Sequence, residues 1–190
     1  LQPLGPVGEE RGVAAGFRHA RGRGRAVGRA DARQHLGEGA PLGGGRKRGA
    51  HAQAIGRSRG GPTTKLHALV DGLGRLVAFT ITPGQLGDAP VAAALVAGLP
   101  PSITLAADRA YDSDALRALL LARGTTPVIP NAPYRKRLHP FDRGAYKRRN
   151  LVERAFCRLK DFRRVATRYD RLAATYAAAI SLAAIVAWWI

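Results

Sequence analysis

One acidic residue, Glu153, lies among the basic residues of the segment 146–160, YKRRNLVERAFCRLK. On a helix with 3.6 residues per turn, four residues of this segment fall within roughly 60° of one another and form one polar stripe: Tyr146, Arg149, Glu153 and Lys160. An apolar face adjoins the stripe. The carboxylate either neutralises its basic neighbours in a surface salt-bridge helix or holds a cation beside bases that hold phosphate. The pattern alone favours the first interpretation.

Asp108 adds weight to the second interpretation. It follows the apolar run SITLAA, which is typical of a short buried strand. Ligand and catalytic groups of α/β proteins gather at the carboxyl ends of strands. An aspartate at a strand end and a glutamate on a later helix can together supply oxygen ligands to Mg²⁺, which takes one or two carboxylates plus phosphate oxygens. Among so many bases, such a site suits phosphodiester chemistry.

The elements that would position these residues follow one another from about residue 63. TKLHALVDGLGRLVAFTITPG predicts a β-hairpin that turns at residues 71–74. A helix with Asp88 as its cap follows, and then the strand that ends at Asp108. The next helix has Asp112 or Ser113 as its cap, and we interpret Asp114 as a further residue of that helix start.

The last third of the chain continues this alternation. TTPVIP predicts a strand, and NAPYRKRLHPFDRG a basic loop. A long helix from about Ala145 to Ala166 and an alanine-rich helix complete the chain. The order β-β-α-β-α-β-α-α predicts an α/β fold with a mixed sheet flanked by helices.

The amino-terminal segment does not share this pattern. Residues 1–60 hold 15 of the 23 glycines, and 12 Lys+Arg against 4 Asp+Glu. Such a segment buries too little apolar surface to offset chain entropy, so residues 1–48 are predicted to be disordered. They form either a nucleic-acid-binding arm or a basic segment without a role. The formal charge of the whole chain, +18, favours nucleic acid as the partner.

Compartment and membrane association follow from composition. A single cysteine, Cys157, allows neither an internal disulfide nor a cysteine zinc site, which fits a reducing cytoplasm. The uncharged run over residues 172–190 is long enough to cross a bilayer, but it is mostly alanine. We therefore expect a buried or partner-facing helix and no membrane span.

The polar stripe has the form Y-x2-R-x3-E-x6-K. It resembles the signature of the DDE transposases of bacterial insertion sequences, in the superfamily that contains the insertion sequence 4 and 5 families. GRSRGGPTTKLHALVD, ADRAYDSDALR and RNLVERAFCRLKDFRRVATRYD resemble the insertion sequence 5 family in particular. The resemblance extends from about Gly49 to the carboxyl terminus.

The resemblance implies an RNase H-like catalytic domain over residues 49–190. Asp108 would be the second catalytic aspartate and Glu153 the catalytic glutamate, and both would bind metal. Tyr146, Arg149 and Lys160 would contact DNA. Two Mg²⁺ ions, with Mn²⁺ as a substitute, would activate a water and then the freed 3′ hydroxyl for attack on phosphodiesters. The protein would act as a homo-oligomer on transposon ends and target DNA, in the bacterial cytoplasm and associated with the nucleoid.

The basic loop carries three further DNA-binding candidates that follow one another in the chain: Arg135, Lys136 and Arg137. Their charges suit contacts with the phosphate backbone.

One part of the family pattern is missing. The first catalytic aspartate of the family lies in a D-S-T-like phrase on the first strand, and this sequence has no such phrase. Asp31 stands in roughly the right region, but ADARQHLGEG is not a strand pattern. Written in GC-rich codons and read one base later, RQHLGEGAP becomes DSTSVKAHR, which is close to the missing phrase. We therefore expect residues 1 to about 45 to derive from a shifted frame, so that the first strand is missing.

Two functions remain open. The chain is a transposase catalytic domain, active or inactive without its first aspartate, or it is a non-catalytic basic DNA-binding protein that inhibits transposition. Both predict DNA binding that weakens steeply with salt. They differ in whether Mg²⁺-dependent cleavage occurs and depends on Glu153.

Overall fold

The computed structural model describes residues 24–33, 53–58 and 61–190, without the side chains of residues 29–33 and 57–58. The rest of residues 1–48, which were predicted to be disordered, lies outside the described residues. The frame junction expected before Gly49 also lies outside them. The strands are β1 Arg25–Arg33, β2 Gly56–Ser58, β3 Gly61–Val70, β4 Leu76–Pro83, β5 Thr104–Ala107 and β6 Thr126–Val128. The helices are α1 Asp88–Ala97, α2 Asp114–Ala122, α3 Arg143–Tyr146, α4 Asn150–Lys160, α5 Arg163–Ala166 and α6 Ala173–Trp189.

The strands form one mixed sheet. β3 pairs antiparallel with β1 on one side, and with β2 and β4 on the other. On its free side β1 pairs parallel with β5, and β5 pairs parallel with β6. Three antiparallel strands beside parallel ones give the RNase H-like arrangement, so the predicted fold class is confirmed.

Each face of the sheet packs against its own set of helices. Alternate residues of a strand point to opposite faces, so neighbouring residues of β1 enter different clusters. Ala26 packs with residues of α4, α5 and α6, while Val27 packs with residues of α1 and α2. In β5, likewise, Ala106 belongs to the first cluster and Ala107 to the second, so the carboxyl end of β5 lies between the two helical layers.

The predicted hairpin is confirmed as β3 and β4. The Asp71 carboxylate accepts hydrogen bonds from the backbone N–H groups of Leu73 and Arg75 at 2.9 and 3.0 Å, which stabilises the turn. Gly74 has φ +78°, a conformation that an L side chain rarely adopts.

The two predicted helix caps have different outcomes. Ser113 caps α2 by accepting a hydrogen bond from the Leu116 N–H at 3.1 Å, so the choice between Asp112 and Ser113 is decided for the serine. Asp88 does not cap α1. Gly87 holds the cap position, and the Asp88 carboxylate instead accepts a hydrogen bond from the Lys65 ammonium at 3.1 Å.

The long helix expected from about Ala145 to Ala166 is confirmed as far as Lys160, but its continuation to Ala166 is wrong. The helical segment starts at Arg143, tightens into a 3₁₀ turn over Lys147–Arg149 and ends as α4 at Lys160. Phe162 has an extended backbone (φ −83°, ψ 104°), which separates the short helix α5 from α4.

The expectation of a missing first strand is wrong for residues 25–33. They form β1, which runs beside β3 from Ala26 opposite Val70 to Arg33 opposite Thr63. The strand is possible without an alternating sequence pattern because residues 26–28, in its first half, are small and fit between the helical layers. Ala26, Val27 and Gly28 are buried between the helical layers, and the neighbouring strands supply backbone partners.

Helix α6 contains most of the uncharged carboxyl-terminal run. None of the helices in the described part of the chain is long and apolar enough to cross a bilayer.

Candidate active site

Asp108 directly follows the last residue of β5. Its backbone carbonyl accepts a hydrogen bond from the Tyr111 N–H at 2.9 Å and starts a 3₁₀ turn over Arg109–Tyr111. The buried Tyr111 side chain anchors that turn in the core. The Asp108 side chain remains 41% exposed, so its carboxylate is open to solvent at the carboxyl end of β5. We call this end of the sheet the rim.

The helical segment that contains α3 and α4 places the polar stripe at the same end of the sheet. The Asp142 carboxylate starts it by accepting hydrogen bonds from the N–H groups of Gly144 and Ala145 at 2.7 and 3.0 Å. Its apolar face is then buried against the sheet through four residues: Val152, Ala155, Phe156 and Leu159. Burial of this face fixes the rotation of α4, and the rotation leaves Glu153 exposed at the rim.

Four of the predicted site residues form one cluster, with the guanidinium of Arg149 at its centre: Asp108, Tyr146, Arg149 and Glu153. The Arg149 Nη1 lies 3.0 Å from both carboxylate oxygens of Asp108, and Nη2 donates to Glu153 Oε1 at 2.5 Å. The Tyr146 hydroxyl donates to Asp108 Oδ1 at 3.2 Å. The guanidinium carbon lies 5.7 Å from the centre of the Tyr146 ring, within cation–π range. One guanidinium thus bridges two carboxylates that are far apart in the chain.

Burial and neighbouring charges together shift the pKa values of the two groups that contact Asp108. Burial lowers the pKa of Arg149, but the charge of Asp108 and the hydrogen bond to Glu153 outweigh it and raise the pKa above its ordinary value. Burial raises the pKa of Tyr146, and the charge of Asp108 adds to that increase against the opposing charge of Arg149. Arg149 therefore remains a cation and Tyr146 a hydroxyl donor near neutral pH.

Lys160 does not join this cluster. It is exposed in the last turn of α4, seven residues or about 10 Å along the helix axis from Glu153. It lies on the same side of the helix as Glu153, so an extended DNA backbone could contact both ends of the stripe.

The three basic loop residues have different surroundings. Lys136 and Arg137 are exposed. Arg135 is only 12% exposed, and its guanidinium donates to Asp112 Oδ2 at 2.8 Å and to Asp114 Oδ1 at 2.5 Å. Arg135 thus ties the loop to the start of α2, and its role in the described structure is internal.

Asp112 is a structural residue that the sequence interpretation missed. Its side chain is fully buried and accepts hydrogen bonds from Arg117 and Arg135 at 2.8 Å and from the Ala132 N–H at 2.7 Å. No local pattern could reveal it, because two of these partners lie about twenty residues later in the chain. Reading Asp112 as a helix cap was therefore wrong.

On the neighbouring strand β1, the residue beside Asp108 is Gly28. Val27 pairs with Ala107 in the parallel β1–β5 ladder, so Gly28 and Asp108 are the next residues along the two strands. A Cβ built on Gly28 would lie 2.4 Å from Val152 Cγ1, which shows that this position faces α4. Asp31 lies three residues further along β1, about 10 Å beyond Gly28.

The donor chemistry of the cluster suits a hard divalent cation, since Asp108 and Glu153 each offer carboxylate oxygens at an exposed rim. Among the residues that the structure describes, no group of three or more His, Cys, Asp or Glu side chains could hold a metal. Substrate phosphate oxygens and water would have to complete the coordination of an ion held by two carboxylates, as is usual for Mg²⁺.

Comparison with known proteins shows the family of this chain. Residues 39–189 match the family described as the Transposase DDE domain. The chain is 37% identical over 127 residues to a putative transposase for insertion sequence element IS6501 of Brucella ovis, covering 66% of this chain and 98% of that protein. It is 31% identical over 142 residues to a putative transposase for IS402 of Burkholderia cepacia, covering 69% of this chain and 65% of that protein.

A solved structure, the catalytic core domain of BIV integrase, is 21% identical and covers 64% of this chain and 73% of that chain, with a TM-score of 0.42. The family match spans most of the chain and includes both carboxylates of the cluster and the whole polar stripe. This chain therefore belongs to the DDE transposase family.

Proposed function

We propose that this chain is the catalytic domain of an insertion-sequence transposase and that Asp108 and Glu153 are its catalytic carboxylates. The observation that carries the proposal is their convergence. Asp108 ends β5 and Glu153 lies on α4, yet one guanidinium contacts both at 2.5–3.0 Å. An ordinary surface salt-bridge helix needs no aspartate from a strand end. The two proteins compared above, both putative transposases for insertion sequence elements, support the same function.

The proposed DNA contacts surround the two carboxylates. Arg149 and Tyr146 lie within the cluster, and Lys160 extends the stripe along α4. Lys136 and Arg137 supply exposed charge on the loop, whereas Arg135 contributes by holding that loop in place. Guanidinium and ammonium groups bind phosphate oxygens strongly, so this surface suits the backbone of transposon ends and target DNA.

The proposed cofactor is Mg²⁺, with Mn²⁺ as a substitute, held by Asp108 and Glu153. A bound ion would supply positive charge for in-line attack on a phosphodiester. The two carboxylates described here suit one such ion together with substrate oxygens, and a second ion would need further ligands. The Tyr146 hydroxyl keeps the Asp108 carboxylate oriented towards the rim.

We further propose that the chain acts as a homo-oligomer on DNA in the bacterial cytoplasm, in association with the nucleoid. The insertion sequence 5 family is the proposed subgroup, on the motifs quoted above. The proposed division of the chain is 1–48 and 49–190, and residues 25–33 of the first segment supply strand β1 to the sheet of the catalytic domain. Sequencing the locus tests the frame shift: a neighbouring frame without the D-S-T codons would exclude it.

A second function has one observation in its favour. The strand position beside Asp108 is occupied by Gly28, which has no side chain to offer. A site with two carboxylates could therefore bind transposon ends without cutting them, and the chain would then inhibit transposition by competing for those ends.

Cleavage of supercoiled DNA that carries the element's own ends separates the two functions. With Mg²⁺ or Mn²⁺, a catalytic domain converts this DNA to nicked or linear forms, and Glu153→Gln reduces the rate at least about 100-fold, since it removes a ligand of the catalytic centre. Asp161→Asn, an exposed change of the same charge just after α4, serves as the matched control and should cleave normally. Salt-sensitive binding without cleavage would establish the inhibitor.

A further inference from the structure

Arg149 occupies the place between the two carboxylates where a cation would bind. Its Nη1 contacts both oxygens of Asp108, and its Nη2 contacts Glu153. These are the oxygens that a divalent ion would need. A guanidinium and a metal ion cannot both use them fully, because both are cations that require the same lone pairs. In this structure, therefore, the protein supplies its own counter-ion to the site.

The same guanidinium is also well suited to a different partner. Arginine binds phosphate through two parallel N–H···O bonds, and its planar group is only weakly hydrated. Glu153 is 52% exposed and Asp108 41%, so a phosphodiester can approach the rim at which Arg149 lies. A phosphate there would offer Arg149 a new anionic partner within the reach of its own side chain.

The local structure allows Arg149 to change partner while the carboxylates stay in place. Arg149 is the last residue of the 3₁₀ turn that precedes α4, and such turns within helical segments are frequent at functional hinges. Asp108 keeps the hydrogen bond from the Tyr146 hydroxyl at 3.2 Å, and the buried face of α4 fixes the backbone position of Glu153. The long side chain of Arg149 has several rotatable bonds, so its guanidinium can turn to a phosphate without a change in the backbone.

We propose that Arg149 is a positioning residue that couples metal binding to DNA binding. Without DNA it holds Asp108 and Glu153 together and competes with the divalent ion. When a phosphodiester binds, the guanidinium transfers to the phosphate and releases the carboxylate oxygens to the metal. This inference rests on the proposed function, because it takes Asp108 and Glu153 as the metal ligands. Its consequence is that an intact metal site assembles only on DNA.

Removal of the guanidinium should tighten metal binding in the absence of DNA. The full chain is titrated with Mn²⁺, and free Mn²⁺ is measured by electron paramagnetic resonance. Arg149→Gln should bind Mn²⁺ about 10-fold more tightly than the wild type, within the range usual for coupled sites. Arg149→Lys, which keeps the charge but lacks the planar fork of the guanidinium, should lie in between. A merely structural role would predict weaker binding in both variants.

Arg154→Gln is the matched control, since it removes one positive charge from an exposed position beside Glu153. Its Mn²⁺ affinity should stay close to that of the wild type. An equal gain in Arg154→Gln and Arg149→Gln would attribute the effect to overall charge and overturn the inference, as would equal affinities of Arg149→Gln and the wild type. Far-ultraviolet circular dichroism of each variant confirms that it is folded, and Arg149→Lys provides the test if the glutamine variant is not.

Loss-of-ligand variants separate the inference from the proposed function. When either Asp108→Asn or Glu153→Gln is combined with Arg149→Gln, the increase in Mn²⁺ affinity caused by Arg149→Gln should disappear. If they lower Mn²⁺ affinity but Arg149→Gln changes nothing, the metal site stands and the coupling role is excluded. If Mn²⁺ binding is indifferent to both carboxylates, the proposed metal site fails, and the coupling role fails with it.

The reciprocal effect is measured with a short duplex oligonucleotide. Binding of DNA should tighten Mn²⁺ binding to the wild type, after subtraction of the Mn²⁺ bound by the oligonucleotide alone, and by linkage Mn²⁺ should tighten DNA binding by the same factor. In Arg149→Gln that factor should fall towards one. An unchanged factor would overturn the inference.

Discussion

At the scale of single residues, several arginines of this basic chain have internal partners. Arg117 is 3% exposed and holds Asp112, and the fully buried Arg168 donates to the backbone carbonyls of Gln53, Asp170 and Arg171. Arg168 also donates to the Thr64 hydroxyl. A count of positive charges therefore overstates the surface that is open to DNA. Exposure in the folded protein decides which bases can bind phosphate.

Replacement of Asp112 tests the internal role of these arginines. Asp112→Asn leaves Arg117 buried without its counter-charge, so the free energy of unfolding should fall by about 3–5 kcal/mol. Urea denaturation at pH 7 measures this loss. Arg154→Gln, which removes an exposed arginine of α4, is the control and should leave the midpoint nearly unchanged. Equal effects of the two variants would contradict the internal role.

The stability contribution of Asp112 should depend on pH. Burial raises the pKa of Asp112, but the hydrogen bonds from Arg135, the Ala132 N–H and Arg117 outweigh it and hold the pKa below its ordinary value. The contribution is therefore complete above the unfolded value of about 3.9 and is lost as the pH falls through the lower folded value. The difference between wild type and Asp112→Asn should accordingly shrink below about pH 4 in denaturation curves. A constant difference would argue against an ionised Asp112.

At the scale of elements, the contact between β1 and α4 determines how close Glu153 comes to β5. Gly28 lets Val152 pack directly against the strand, and Ala26 and Phe156 belong to the same cluster. The absence of a side chain at residue 28 thus brings α4 close to the sheet, and it also leaves the position beside Asp108 without a carboxylate.

Replacement of Gly28 tests this close approach. In Gly28→Ala the new Cβ would lie 2.4 Å from Val152 Cγ1, and a β-branched side chain in a helix has little freedom to move away. The free energy of unfolding should fall by about 1–3 kcal/mol. Val152→Ala alone should also destabilise, by leaving a cavity. The double variant Gly28→Ala/Val152→Ala should lose less stability than the two single losses added together, because the alanine at residue 28 fills the space left at residue 152. Losses that simply add would mean that the strand and the helix do not contact each other at this point.

At the scale of the whole molecule, the charge is distributed unevenly. The chain has 31 Lys+Arg against 13 Asp+Glu, so the formal charge of +18 remains even if every acidic residue is paired. Several exposed bases lie along one continuous stretch of chain from α3 to α5. Glu153 lies within this basic stretch, and Asp108 contacts the stretch through Arg149. The arrangement attracts a polyanion to the place where a cation can bind.

Salt dependence of DNA binding measures which bases contact phosphate. The logarithm of the binding constant should fall linearly with the logarithm of salt concentration, and Lys160→Gln should reduce the magnitude of the slope by about 1. Arg75→Gln removes the same charge from a residue that pairs with Asp71 in the hairpin turn, and should leave the slope unchanged. Fluorescence anisotropy with a labelled duplex gives both slopes. An equal reduction would show that Lys160 acts only through overall charge.

The amino-acid sequence by itself determined the local elements and the chemical types at the site. The hairpin at Asp71, the strand before Asp108 and the helical stripe around Glu153 depend on turn residues, apolar runs and helical spacing, all of which are local. The convergence of Asp108 and Glu153 was an expectation from their positions at a strand end and on a helix face.

Only the tertiary structure decided what each polar side chain contacts. That Arg149 bridges the two carboxylates, that Arg135 faces Asp112 and that residues 25–33 complete the sheet all depend on pairing between distant segments. Sequence patterns record the propensity of neighbouring residues. They do not record which basic and acidic side chains come within hydrogen-bonding distance when the helices pack against the sheet. They also do not record that neighbouring strands can stabilise a strand that lacks an alternating pattern.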